Sequence, residues 1–179
     1  MNPVRNIEAP LITAKLREMF LRSNTCLGGD VEKALRRARE GEETVLGRQV
    51  LERILENAAV AREERLPICQ DTGLAVVFVE LGQDVRVVGG ALREAVEEGV
   101  RQAYREGYFR KSVCDPLSRA NTGDNTPAVI HLDVVPGDKI RLTAMPKGGG
   151  SENMSTVTML LPAAGRDGIR DHVVETVLR

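Results

Sequence analysis

Cysteine is scarce in this chain: Cys26, Cys69 and Cys114 are the only three in 179 residues, and no two share a paired spacing. That excludes a disulfide framework, and an odd count fits a reducing, cytoplasmic setting. Histidine is scarcer, with only His131 and His172. Neither has a partner at metal-ligand spacing, so both read as structural, His131 in a strand and His172 in the last helix. No apolar run approaches the roughly 20 residues of a membrane span. The start of the chain is amphipathic and charged rather than the apolar stretch of a signal peptide. Neither sign of charge dominates: 25 basic residues stand against 26 acidic, for a net charge of −1. No footprint for a nucleic acid or a membrane surface follows from that balance. Aromatics make up 3% with no Trp, and with Arg and Glu plentiful the composition leans towards that of thermophiles. Repeats and low-complexity segments are absent too.

What the chain does have is apolar periodicity. Ile12, Leu16, Met19 and Phe20 recur at i, i+4, i+7 and i+8, which predicts a helix from about Pro10 to Asn24. After a break at Thr25 to Gly29, Asp30 is the expected N-cap of a short charged helix that Gly41 ends. Val45 to Ala61 predicts a longer helix with Leu51, Ile54, Leu55 and Ala58 on one side. Ala75 to Leu81 is apolar on both faces and reads as a buried strand. Gly89-Gly90 opens another long helix, with Leu92, Val96, Val100 and Ala103 inward and Gly107 near its end. Pro127 to Val135 and Ile140 to Ala144 are expected strands, joined as a hairpin by Pro136-Gly-Asp-Lys139. Helical residues are expected from about Glu152 to Leu161, and a last helix from near Gly168 is still running at Arg179.

Helices followed by mixed strands and helices predict an α+β fold. An N-terminal helical segment over about 9–65 packs with a small mixed or antiparallel sheet and further helices over about 66–179, all in one domain. The chain stops inside a helical pattern without a C-cap, which is the expected mark of a truncated C-terminus.

The chemistry concentrates in Leu66 to Gly73. A thiol, an amide, a carboxylate and a hydroxyl follow one another from Cys69 to Thr72, with Pro67 before them and Gly73 after. Cys69 can ligate a metal or act as a nucleophile, and Asp71 can move a proton. If the backbone is a regular strand, Cys69 and Asp71 share one face and Gln70 the other. The competing reading is a buried core Cys followed by an Asp-Thr-Gly turn. A second stretch, Lys147-Gly-Gly-Gly-Ser-Glu-Asn153, places three glycines between a strand and a helix. Their N–H groups and the helix N-terminus, which Ser151 can cap, make an anion site. Lys147 precedes the glycines, so this is not a P-loop; a flexible connection is the alternative. In Phe109 to Pro127, Arg110 and Lys111 can hold carboxylates. Asn121, Thr122 and Asn125 either order the loop or bind a ligand, and a solvated basic pair followed by Asx-turns is the alternative. Cys26 and Cys114 read as core or loop thiols.

Four motifs then stand in order: Cys69-Gln-Asp-Thr-Gly73, Phe109-Arg-Lys-Ser112, Asn121-Thr-Gly-Asp-Asn-Thr-Pro127 and Lys147-Gly-Gly-Gly-Ser-Glu-Asn153. Together they resemble the N-terminal part of the iron–sulfur hydro-lyases, the class I fumarate hydratases and L-tartrate dehydratases, and most of all the separate alpha subunit of their two-subunit forms. The resemblance runs over nearly the whole chain. It implies reversible hydration of a dicarboxylate, fumarate to L-malate first, with tartrate dehydration as the alternative. It also implies a 4Fe-4S cluster held by three Cys, whose open iron is a Lewis acid.

Residue by residue, the resemblance makes Cys69 one cluster ligand and Asp71 the group that transfers a proton at the leaving hydroxyl. It places Gln70, Arg110, Gly148, Gly149 and Gly150 on the substrate. Cys26 and Cys114 do not fall at the family's other ligand positions, so those ligands are expected outside this chain, as are a beta-subunit partner and the rest of the site. The chain alone is therefore expected to fold, to lack the cluster and activity, and to self-associate as a dimer. No residue is assigned as the base. Two other readings compete: Cys69 as a nucleophile, which lacks a His partner, and a non-catalytic anion-binding module built on the glycine loop.

Overall fold

A computed structural model of the chain describes residues 4–178. Its elements run β1 (Arg5–Glu8), α1 (Ala9–Thr25), α2 (Gly29–Gly41), α3 (Val45–Glu64), β2 (Leu74–Gly82), β3 (Val85–Val88), α4 (Leu92–Glu106), β4 (Val129–Val135), β5 (Ile140–Lys147) and α5 (Gly165–Leu178), with 3₁₀ turns at Gly150–Met154 and Pro162–Ala164. The fold is α+β, as expected. Two compact units divide the chain, Met1–Gly148 and Gly149–Arg179. No helix among the described residues is long and apolar enough to cross a membrane.

The first unit is built on the crossing of α1 and α4. Ala9, Ile12, Leu16 and Phe20 of α1 meet Val96, Val100, Ala103 and Tyr104 of α4, all buried. Gly99 makes the approach possible, since a Cβ there would lie 2.9 Å from both the Leu16 Cβ and the Thr13 carbonyl. The inward side chains of β2, Ala75, Val77 and Val79, complete this core. By contrast α2 has no buried residue and α3 buries only Ala58 and Ala61. The pair is tied together by Arg39–Glu52 and by Glu32, which holds both Arg36 and Arg62.

Several expectations are corrected. β4 and β5 do not form a hairpin: β2 lies between them, parallel to β4 and antiparallel to β5. The Pro136–Lys139 turn crosses the end of β2, where Gly82 N–H donates to the Lys139 carbonyl at 2.8 Å and Asp84 N–H to the Gly137 carbonyl at 3.0 Å. A Cβ at Gly82 would come within 2.4 Å of the Gly137 carbonyl, so the glycine is what lets the turn pass. β2 is central, paired along both edges, but it is not buried on both faces as expected: Ala75, Val77 and Val79 enter the core, while Phe78 on the other face is 41% exposed and Glu80 pairs with Arg141. The parallel pair β1–β3 was not anticipated, because four residues carry too little periodicity to register.

Asp30 is not the N-cap of α2; Gly28 holds that position and Asp30 sits in the first turn, where its charge faces the helix dipole. Thr44 caps α3, its hydroxyl accepting from Gly47 N–H at 3.1 Å. The helix expected over Glu152 to Leu161 is only the 3₁₀ turn Gly150–Met154, followed by chain with no regular structure. Pro162 disfavours helical backbone at Leu161, which is extended at φ −67°, ψ 143°, and Thr156, Val157 and Thr158 are β-branched. The side chain of Ser151 and the end of the last helix at Arg179 lie outside the described residues.

Candidate active site

The segment from Leu66 to Gly73 is irregular, not a strand; β2 begins only at Leu74. The alternation expected to put Cys69 and Asp71 on one face therefore does not operate. Arg65 ends α3 in the left-handed region, at φ 57°, and turns the chain. Ile68 is then pinned from two sides: its N–H donates to the Asn24 carbonyl at 2.9 Å, and its carbonyl accepts from Asn57 Nδ2 at 2.9 Å. A fixed Ile68 presents the next two residues, Cys69 and Gln70, to solvent.

Asp71 turns back towards the body of the molecule. Its Oδ1 accepts from Gly73 N–H at 3.1 Å, an Asx-turn. Gly73 sits at φ +64°, and a Cβ there would lie 2.1 Å from the Lys147 carbonyl. Only glycine fits. The last pair of the β2–β5 ladder, Leu74 with Lys147, explains the encounter: the start of one antiparallel strand always meets the end of its partner. Gly148 is thereby placed beside Asp71, close enough that a Cβ on it would be 3.0 Å from Asp71 Oδ2. A bare backbone thus lies against a half-buried carboxylate.

The loop after α4 joins the same turn. Thr72 Oγ1 donates to the Arg110 carbonyl at 2.8 Å, while the Arg110 side chain is exposed. Tyr104 OH donates to the Thr72 carbonyl at 2.8 Å, with the Gly73 carbonyl at 3.3 Å. Burial, with the Asp71 charge adding to it, pushes the Tyr104 phenol up to about 12, against the amides of Asn24 and Asn125, which pull it down. It is a neutral donor at any ordinary pH. Asn121 orders the loop, Nδ2 donating to the Lys111 carbonyl at 2.9 Å and Oδ1 accepting from Gly123 N–H at 2.7 Å. Asp115 does the same for Leu117 and Ser118, and bonds from Ser118 and Leu117 hold its carboxyl below the usual range.

Of the residues singled out in the sequence, the structure brings Asp71, the Arg110 backbone and Gly148 together, with Cys69 and Gln70 on the exposed lead-in. Gly149 and Gly150 belong to the second unit, where Gly150 opens the 3₁₀ turn. His131 stacks on Phe78 at 4.8 Å between ring centres, on the sheet. Tyr104 was missed, hidden at the end of an apolar helix face. Among the described residues, no group of three His, Cys, Asp or Glu side chains could hold a metal ion. Cys69 is exposed and free, and Cys26 and Cys114 are half-buried and free. These residues do not by themselves fit an iron–sulfur cubane; an exposed thiol on a pinned turn fits one corner of it.

The family model described as fumarate hydratase (Fumerase) matches residues 13–179. A putative L(+)-tartrate dehydratase subunit alpha of Methanocaldococcus jannaschii is 37% identical over 166 residues, covering 89% of this chain and 58% of the relative. The aerobic class I fumarate hydratase of Escherichia coli K12 is 38% identical over 118 residues, 64% of this chain and 21% of the relative. The L(+)-tartrate dehydratase subunit alpha of E. coli UTI89 is 26% identical over 158 residues, 86% and 52% of the two chains. The chain thus spans little more than half the length of those alpha subunits and a fifth of that fumarate hydratase.

Proposed function

The chain belongs to the fumarate hydratase family, and on that premise we propose that it forms part of an iron–sulfur hydro-lyase that adds water to, and removes it from, a small dicarboxylate. Fumarate to L-malate is the reaction proposed first. Dehydration of L-tartrate is the second reading, favoured by the 37% identity to a putative tartrate dehydratase alpha subunit over 89% of this chain.

The observation that carries the proposal is the Asp71 carboxylate held against the Gly148 backbone by the Gly73 turn. Removing water β to a carboxylate needs an acid at the leaving hydroxyl and donors on the carboxylates. In this reading Asp71 gives its proton to the departing hydroxyl and takes one back in hydration. Gln70 and the bare Gly148 backbone beside Asp71 contact the substrate. Arg110 pairs with a substrate carboxylate, its planar fork matching two oxygens. Cys69 supplies one ligand of a 4Fe-4S cluster, with the remaining ligands, the base and a beta subunit contributed from outside these residues. The cysteine usage supports a cytoplasmic setting.

The test is an anaerobic assay of the complete enzyme, loaded with iron and sulfide, against fumarate, L-malate and L-tartrate. Turnover that follows the visible absorbance of a cluster supports the reading. Turnover without iron, or none on any of the three acids, removes it. An anion-binding module would bind dicarboxylates with no turnover at all.

A further inference from the structure

One buried amide lies between the two segments assigned to substrate. Asn125 is fully buried and sits in the left-handed region at φ 65°. Both ends of its side chain are used. Nδ2 donates to the Gly73 carbonyl at 3.1 Å, and Oδ1 accepts from the Ser112 and Val113 N–H groups at 2.6 and 3.2 Å. Gly73 is the residue whose own N–H holds the Asp71 carboxylate. Ser112 lies two residues past Arg110, whose carbonyl takes the Thr72 hydroxyl. Asn125 is thus a cross-link between the Asp71 turn and the Arg110 strand of loop.

The residue type follows from these demands. Left-handed backbone favours Gly, Asn and Asp over other residues. Gly has no amide to give. Asp accepts from Ser112 and Val113 but, ionised, cannot donate to Gly73 and would set a charge against its carbonyl. Gln offers the same groups on a stem one methylene too long. A donor and an acceptor at this reach, on this backbone, leave Asn alone. Tyr104 supports the same turn from α4 through the carbonyls of Thr72 and Gly73.

We infer that Asn125 is a positioning residue of the hydro-lyase site: it sets the Asp71 carboxyl relative to the Arg110 segment, so that a dicarboxylate held on Arg110 presents its hydroxyl to Asp71. The inference rests on the roles given to Asp71 and Arg110 above. Loosening the cross-link leaves Arg110 free to bind a carboxylate but misplaces the proton donor, so turnover suffers more than binding.

The test is kinetic, on the complete enzyme under anaerobic conditions. Asn125→Asp, nearly isosteric, is expected to lower kcat by about 10- to 100-fold with KM for the dicarboxylate changed by less than about threefold, the signature of misplacement near 1 Å. Tyr104→Phe, which loosens the same turn from the other side, is expected to show the same split and covers the case in which Asn125→Asp fails to fold. Ser118→Ala, in the same loop but outside the cross-link, is expected to leave both constants unchanged. Hydrogen exchange adds a readout independent of turnover: Asn125→Gly should deprotect the Ser112 and Val113 amides, whereas Asn125→Asp should keep them protected. Parental kcat in folded Asn125→Asp and Tyr104→Phe enzymes, or a loss carried wholly by KM, overturns the inference while the proposed function stands. A parent enzyme without turnover on any dicarboxylate overturns both.

Discussion

Three side chains carry the predictions at the scale of single residues. Asp71→Asn keeps the size and the Gly73 contact but removes the carboxyl proposed to transfer the proton. It is expected to lower kcat by about 10²–10⁴-fold with a modest change in KM, measured in the complete enzyme. Arg110→Ala removes the carboxylate fork, so KM should rise, with kcat falling only where positioning suffers too. Reversed signatures would exchange the two roles. Tyr104 is read through pH. Its phenol ionises near 10 in the unfolded chain and at about 12 in the native one, burial being the first cause. Below pH 10 the full stability is present. Between 10 and 12 the unfolded chain loses the proton first, so stability falls by about 1.4 kcal/mol per pH unit, up to about 3 kcal/mol in all. Urea unfolding across that window should show the decline, and Tyr104→Phe should abolish its steepest part. The other tyrosine, Tyr108, is 91% exposed and cannot substitute for it.

Glycines decide the joints between elements. At Gly99 a methyl would enter the α1–α4 crossing, where Leu16 Cβ and the Thr13 carbonyl already stand at 2.9 Å. Gly99→Ala gains roughly 1 kcal/mol of helix propensity but is expected to lose about 1–3 kcal/mol to overpacking. Gly41→Ala, with nothing within 4 Å, should be neutral or stabilising in the same chemical melts. The opposite signs are the check, since propensity alone would give both the same one. Gly73→Ala meets a positive φ and the Lys147 carbonyl together. A loss above about 4 kcal/mol is expected, with the β2–β5 ladder opening first at its Leu74–Lys147 end. Protection of those amides unchanged by the substitution would mean the turn can be rebuilt without glycine.

At the scale of the molecule, burial is uneven. The crossing of α1 and α4 over β2 is closed, while α2 and, among the described residues, α5 bury nothing. Along α5, Ile169, Val173 and Val177 recur at i, i+4 and i+8, and all three are exposed. Exchange at the amides of α5 should therefore be far faster than at those of α1 and α4. Leu46, Val50 and Ile54 leave a second exposed stripe on α3. Monomers rarely keep apolar surface of this extent, and a symmetric pair is the simplest way to cover it. Sedimentation of the isolated chain is expected to show a dimer; a monomer at tens of micromolar would end that expectation.

Local pattern determined much of this protein. The i, i+4 spacing of Ile12, Leu16 and Phe20 or of Val96 and Val100 sets a helix and its buried face at once, because both depend only on near neighbours. The apolar run of β2 marks a strand for the same reason, though only tertiary packing decided that its Ala75, Val77 and Val79 enter the core while Phe78 stays exposed; the α+β class follows from the order of such segments. Four ordered motifs were enough to reach the family. Tertiary structure alone decided which strands pair: β4 and β5, four residues apart, are split by β2 because pairing is a competition among all strands, not a property of a turn. It alone decided that Gly73 must be glycine, since the Lys147 carbonyl that excludes a side chain arrives from far along the chain. The use of Asn125 belongs here as well. In sequence it could order a loop or hold a ligand; buried between Gly73 and Ser112 it orders the loop, because a buried amide must find both of its partners within the protein.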